Sequence, residues 1–174
     1  MITGVRRCGK STLMKQYMER LRAAGTDEGR IMYMNMESRE SEGIGDFREL
    51  GDRIEARLPR DGRSYIFPDE VQRVPEWERT VNSLMVDHDA DICITGSNAK
   101  LLSSELSTYL SGRYIEIAML PLSFKEYMFL HPTAGNHSIR SRFTDYMWMG
   151  SMPMIDPEFG DDLNNDILIG YTTR

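Results

Sequence analysis

The residues best suited to chemistry stand near the start of the chain. Gly4-Val5-Arg6-Arg7-Cys8-Gly9-Lys10-Ser11, followed by Thr12, fit the spacing GxxxxGK[ST]. Glycines at both ends of such a loop let consecutive backbone N–H groups curl around phosphate oxygens. A helix that starts at the lysine adds free N–H groups and the positive end of its dipole. Lys10 is placed to reach the β- and γ-phosphates, Ser11 to ligate Mg²⁺ through its hydroxyl, and Thr12 to meet the α-phosphate through its backbone. The expected ligand is ATP with Mg²⁺.

A second constellation supports the first. Tyr65-Ile66-Phe67-Pro68-Asp69-Glu70 is an apolar run that ends in two carboxylates. Asp69 would hold Mg²⁺ through water, and Glu70 would act as general base toward an attacking water. GTPases with this loop, and many small-molecule kinases, lack a glutamate at the second position. Pro68 has no N–H for a sheet ladder, so the strand is expected to be ending there.

Further along, Ile92-Cys93-Ile94-Thr95-Gly96-Ser97-Asn98 reads as a buried strand running into a small polar turn. Ser97 or Asn98 could orient water between Glu70 and the γ-phosphate, or Ser97 could simply cap a helix. Arg113, freed by Gly112, could stabilise charge developing on the γ-phosphate, or pair with Glu116 or another acid.

These groups need a scaffold that brings loop and strand ends together. Short apolar runs at Met1 to Thr3, Ile31 to Met36, Tyr65 to Phe67, Ile92 to Thr95 and Tyr114 to Ile117 alternate with segments of helical period. Leu13, Met14, Tyr17, Met18 and Leu21 predict a helix over residues 11–24 that ends near Gly25. Phe47, Leu50, Ile54 and Leu58 predict a second helix closed by Pro59. Trp77, Val81, Leu84 and Met85 predict a third, and Leu101, Leu102, Leu106, Tyr109 and Leu110 a fourth. Strands alternating with helices imply an α/β fold with a mainly parallel sheet.

Composition narrows the function classes. The chain has 174 residues, 28% of them charged, and a net charge of −6, which argues against gripping nucleic acid by bulk charge. No apolar run approaches the ~20 residues of a membrane span, and the start has no leader pattern, so a cytoplasmic protein is expected. Cys8 and Cys93 lack metal-ligand spacing and read as reduced thiols, and His88, His131 and His137 form no ligand set. Many of the 13 methionines, among them Met14, Met18, Met85 and Met128, sit at helical spacing as expected core filler. The acidic, breaker-rich stretch after Pro153 reads as a surface linker.

Taken in order, ITGVRRCGKSTL, YIFPDEVQRVPEWE, ITGSNAKLLSSELSTYLSGRY and LPLSFKEY resemble the AAA-type ATPase domain of a group of bacterial and archaeal ATP-binding proteins that carry a further C-terminal domain of unknown function. The resemblance runs from Ile2 to about Pro153. It implies a three-layer P-loop NTPase core of the ASCE type with a five-stranded sheet in the order 5-1-4-3-2. It also implies roles for Lys10, Ser11, Asp69, Glu70 and the Ser97-Asn98 turn, with Arg113 as a finger or sensor.

Three departures stand out. Pro68 replaces an aliphatic residue, and Met149-Gly150-Ser151-Met152-Pro153 stands where the group has a glycine-glycine-aromatic-proline turn. The chain also reads as a fragment, with an ATPase domain over residues 1–153, its first strand shortened, and over residues 154–174 an acidic linker and the start of a missing C-terminal region. The expected function is a Mg²⁺-dependent ATPase that couples nucleotide state to a protein partner, to the C-terminal domain or within a homo-oligomer. The alternatives are a P-loop kinase acting on a small acceptor and a nucleotide-binding remnant without turnover. Ser97-Asn98-Ala99-Lys100 is not the NKxD guanine reader, which disfavours a GTPase.

Removing the loop's point charge tests the central expectation. Lys10→Ala should abolish tight ATP binding while leaving the loop backbone intact. Calorimetry that finds unchanged affinity would remove the nucleotide assignment.

Overall fold

The computed structural model describes residues 1–59, 61–96, 112–132 and 138–154. Backbone contacts divide the chain into two compact units: Met1–Gly4 with Lys10–Ala118, and Val5–Gly9 with the chain from Met119 onward. The expected helix over Leu101 to Leu110, the turn residues Ser97 and Asn98, and the acidic stretch beyond Met154 lie outside the described residues.

In the first unit the chain forms β1 (Ile2–Gly4), α1 (Lys10–Ala23), β2 (Ile31–Asn35), α2 (Phe47–Glu55), β3 (Ser64–Asp69), α3 (Trp77–Asp87), β4 (Ala90–Ile92) and β5 (Ile117–Met119), the last residue of which begins the second unit. Helix α1 stops for a local reason. Gly25 takes a φ of 89°, and the Thr26 and Gly25 N–H groups bond back to Leu21 and Arg22 over 3.0 and 2.9 Å, the double closure that a glycine in the left-handed region permits. Helix α2 starts where the Asp46 carboxylate accepts the N–H groups of Arg48 and Glu49 at 2.8 and 3.0 Å.

Strands β2, β3 and β4 form a parallel sheet in that order, with register Ile31↔Tyr65 through Asn35↔Asp69 and Ser64↔Ala90 through Ile66↔Ile92. Strands β1 and β5 pair separately, and among the described residues a parallel bridge, Ile2↔Thr95, links β1 to the segment that follows β4. The order 5-1-4-3-2 is thus not formed as one continuous ladder. The expected strand Ile92 to Thr95 is interrupted for a physical reason. Cys93 N–H still donates to Ile66 O at 2.9 Å and Thr95 N–H to Pro68 O at 3.1 Å, but Pro68 has no N–H to return. Pro68 is the penultimate residue of β3, so the strand does end close to it. The last strand, Ile117–Met119, lies further along than Tyr114 to Ile117, although Met1 pairs on both sides of Glu116: its amino group donates to Ile115 O at 2.8 Å and its carbonyl accepts the Ile117 N–H at 2.9 Å.

Side-chain alternation then sorts the two faces of β2 and β3. Met32, Met34 and Ile66 join Leu50, Ile54, Trp77, Val81 and Leu84 of α2 and α3 in one buried cluster. On the other face the Phe67 ring meets Tyr17 of α1 edge-on at 5.8 Å between centroids, and Lys15 Nζ lies 5.7 Å from the Tyr33 ring centre. The two strands therefore lie between α1 and the α2–α3 pair, in three layers. Methionine does fill the interior at Met14, Met18, Met32, Met34 and Met36, whereas Met85 is exposed.

The second unit contains two helices that the sequence reading did not predict, α4 (Phe124–Leu130) and α5 (Ile139–Met149). A reciprocal Ser123–Glu126 capping box starts α4, and the Ser138 hydroxyl caps α5. Phe124 packs against Phe143 at 5.1 Å and Tyr146 at 5.4 Å between ring centroids, and the Tyr146 hydroxyl donates to Leu122 O at 2.8 Å. After α5, Ser151 O accepts the Leu122 N–H at 2.7 Å. A Cβ built on Gly9 would stand 3.6 Å from Met119 Cε and 3.9 Å from Pro153 Cγ, so Gly9 sits against the segment that follows α5. No described helix is long and apolar enough to cross a membrane.

Leu50, fully buried between α2 and the sheet, reports on this core. Leu50→Ala should lower the unfolding free energy by about 2–5 kcal/mol, seen as a lower urea midpoint at an unchanged m-value.

Candidate nucleotide site

The site is assembled where β1 and β3 end and α1 begins. Gly4 closes β1 with a φ of 146°, and Lys10 opens α1 with its side chain 3% exposed and Nζ 3.1 Å from Gly4 O. A buried ammonium is tolerated only with polar partners, and the Gly4 carbonyl is one. Ser11 and Thr12 occupy the first turn of α1, where N–H groups have no partner within the helix. Residues Val5 to Gly9, which belong to the second unit, form a tight turn. The Cys8 N–H points to Val5 O at 3.4 Å, and both Arg7 (φ 65°) and Gly9 (φ 103°) are left-handed. Cys8 is buried, which fits an inert thiol.

Asp69 is 2% exposed at the end of β3. Its Oδ1 accepts the Ser11 hydroxyl at 3.0 Å and the Thr95 hydroxyl at a short distance, and its Oδ2 accepts the Tyr33 hydroxyl at 2.8 Å. Register explains the convergence. Asp69 pairs with Asn35, so Tyr33, two residues earlier on β2, shares its face, and α1 lays Ser11 across that face. Burial first, and the Asp69 carboxylate second, push the Tyr33 phenol well above its ordinary pKa, so it remains a proton donor.

Glu70 follows in the left-handed region, with φ 56° and ψ 42°. For a residue with a Cβ this conformation costs on the order of 1–2 kcal/mol. The surroundings impose it. Glu70 N–H donates to Thr95 Oγ1 at 3.1 Å, Val71 N–H to Thr95 O at 3.1 Å, and Val71, Val74 and Trp77 are buried just beyond. The Glu70 carboxylate accepts the Gln72 amide at 2.5 Å.

Thr95, like Tyr33, is a residue whose role sequence reasoning missed. It is fully buried, donates to Asp69, accepts from Glu70 N–H, and carries the bridge to Ile2. The sequence reading named Ser97 and Asn98, which lie outside the described residues, and assigned no role to Thr95. Thr95 still carried a signal, as the last hydroxyl of an apolar run. The structure does not bring Arg113 to Asp69. Arg113 is exposed and lines an apolar cavity with Met1, Tyr17, Ala90 and Ile92, at the end of the sheet where β1 and β4 begin, while Glu116 accepts the Thr3 hydroxyl at 2.8 Å.

The donors present suit a Mg²⁺-nucleotide. Ser11 and Asp69 offer hard oxygen atoms side by side, Lys10 supplies a charge at the helix start, and Mg²⁺ needs few protein ligands. Among the described residues no group of three or more His, Cys, Asp or Glu side chains forms a dedicated metal cluster.

A parallel sheet layered by helices, with a glycine-rich loop leading into a helix opposite a buried aspartate, defines a nucleotide-binding P-loop NTPase. The chain belongs to the AAA domain family, whose sequence profile matches residues 1–128. It is 45% identical over 148 residues to an uncharacterised protein of Haemophilus influenzae, covering 84% of this chain and 36% of that protein. It is 29% identical over 182 residues to an uncharacterised protein of Methanocaldococcus jannaschii, covering 98% and 39%. The chain thus spans little more than a third of these relatives. Among solved structures it is similar in fold to Cdc6p from Pyrobaculum aerophilum, with a TM-score of 0.60, 18% identity, and 97% of this chain and 53% of that one covered. A second is Aeropyrum pernix Orc1 in complex with DNA, with a TM-score of 0.51, 17% identity, and coverage of 83% and 43%.

Thr95→Val keeps shape and removes the hydroxyl that serves both Asp69 and the Glu70 N–H. Stability should fall by about 1–3 kcal/mol, and Tm by roughly 2–4 °C per kcal/mol at this chain length. Thr95→Ser should hold near wild type. A valine variant that melts with wild type would strip Thr95 of this role.

Proposed function

We propose that this chain is a Mg²⁺-dependent ATPase module that couples nucleotide state to a partner or to a further part of a longer protein. The observation that carries the reading is the pair of consecutive acids in two different settings. Asp69 is buried among hydroxyls, and Glu70 is turned away by a left-handed backbone with its carboxylate on an amide. Two adjacent carboxylates with separate environments can take separate tasks.

In this reading the backbone of Val5 to Gly9 and the first turn of α1 bind phosphate oxygens, and Lys10 neutralises charge between the terminal phosphates. Ser11 and Asp69 hold the metal side of the nucleotide, Ser11 directly and Asp69 through water. Glu70 leaves the Gln72 amide, orients a water molecule and accepts its proton as the water oxygen attacks. Bound Mg²⁺-ATP would supply the electrophilic γ-phosphorus, whose bond to the bridging oxygen breaks as the new bond to water forms so that ADP leaves, and the metal's charge would stabilise that leaving group. A second acid beside Asp69 favours water as the acceptor over a small-molecule hydroxyl, which supports hydrolysis over a kinase reaction. The likeness to Orc1 extends to fold alone, and a net charge of −6 gives no independent support for nucleic acid as the partner.

Glu70→Gln separates binding from chemistry, since an amide can hold water and cannot take its proton. Calorimetry should show ATP affinity within about twofold of wild type, while phosphate release falls by about 10²–10⁴-fold. Wild-type release from the variant would assign the base elsewhere.

A further inference from the structure

We propose that Tyr33 is a positioning residue for Asp69, holding the carboxylate oriented toward a Mg²⁺-nucleotide from the neighbouring strand. This rests on the nucleotide reading above. Of the hydroxyls on Asp69, that of Ser11 is the one whose oxygen is also placed to serve a cation, so its bond to Oδ1 is the one given up or shared when metal is held. Thr95 keeps Oδ1, and the Tyr33 hydroxyl at 2.8 Å is the donor on Oδ2. Without Tyr33 the carboxylate could rotate about its terminal bond, a broad and nearly two-fold torsion.

The phenol is well built for the task. Its ring is anchored by the Tyr33↔Phe67 register of a parallel pair and lies beneath Lys15 Nζ at 5.7 Å, so the hydroxyl reaches Asp69 from a fixed strand rather than from the loop that must accommodate phosphate. Groups that orient a metal-holding carboxylate in this way typically change metal affinity more than they change the fold.

The test uses Tyr33→Phe in the full 174-residue chain, with a non-hydrolysable ATP analogue as probe. Analogue affinity is measured by calorimetry in EDTA and then across a Mg²⁺ series. The expected result is an unchanged affinity in EDTA, a Mg²⁺ midpoint raised about tenfold, and recovery of wild-type affinity at saturating Mg²⁺. A Mg²⁺ midpoint equal to wild type overturns the proposal. So does an affinity that falls equally in EDTA and is not restored by Mg²⁺, since that marks a lesion in the fold. If the wild-type chain itself shows no Mg²⁺-dependent binding of the analogue, the nucleotide reading fails and the role of Tyr33 falls with it.

Discussion

A carboxylate buried at the end of a central strand is the constraint around which the first unit is arranged. Taking an ion of that size out of water costs several kcal/mol unless its oxygen atoms are hydrogen-bonded. Asp69 meets this requirement with hydroxyl groups from α1, from β2 and from the segment after β4. Each donor belongs to a different element, so the side chain that a nucleotide's metal would use also fastens helix to strand and strand to strand. The parallel register puts Tyr33 on the right face, and the short bridge at Ile2 brings the start of the loop beside Thr95.

What could be read from the sequence was local. The glycine-rich loop, the consecutive acids and the helices α1 to α3 declare themselves through spacing within about a dozen residues, and the structure forms those helices within a few residues of their expected bounds. Tyr33 and Thr95 could not be read that way. Their roles depend on register as well as on which strand lies beside which; the resemblance implied a strand order, and nothing in the sequence reading gave the register. Pro68 was recognised as unusual, yet its effect falls on a neighbour: it deprives the 93–95 segment of a returning N–H, which is why β4 stops early.

The missed helices make a related point. Ser123-x-x-Glu126 is a start signal that was present to be read. The following residues, Phe124, Tyr127, Phe143 and Tyr146, pack on one another in a small aromatic cluster, so the apolar pattern of each short helix is weak on its own. At 17–18% identity to the solved neighbours, the shared information is the layering of elements rather than particular contacts.

The left-handed turn at Glu70 sets stability and chemistry against each other at one position. The backbone there is the kind that glycine adopts without a Cβ penalty, yet glycine would bring no carboxylate. Selection for a sturdier fold and selection for the acid therefore pull position 70 in opposite directions, and the hydroxyl of Thr95 and the buried Val71, Val74 and Trp77 are what let the acid persist. In a lineage that no longer needed the acid, a glycine at position 70 would relieve the Cβ penalty of that turn. Under the proposed reading of Glu70 as the base, drift there toward glycine, with Asp69 and its donors left intact, would be the mark of a descendant that still grips its ligand and has given up turnover.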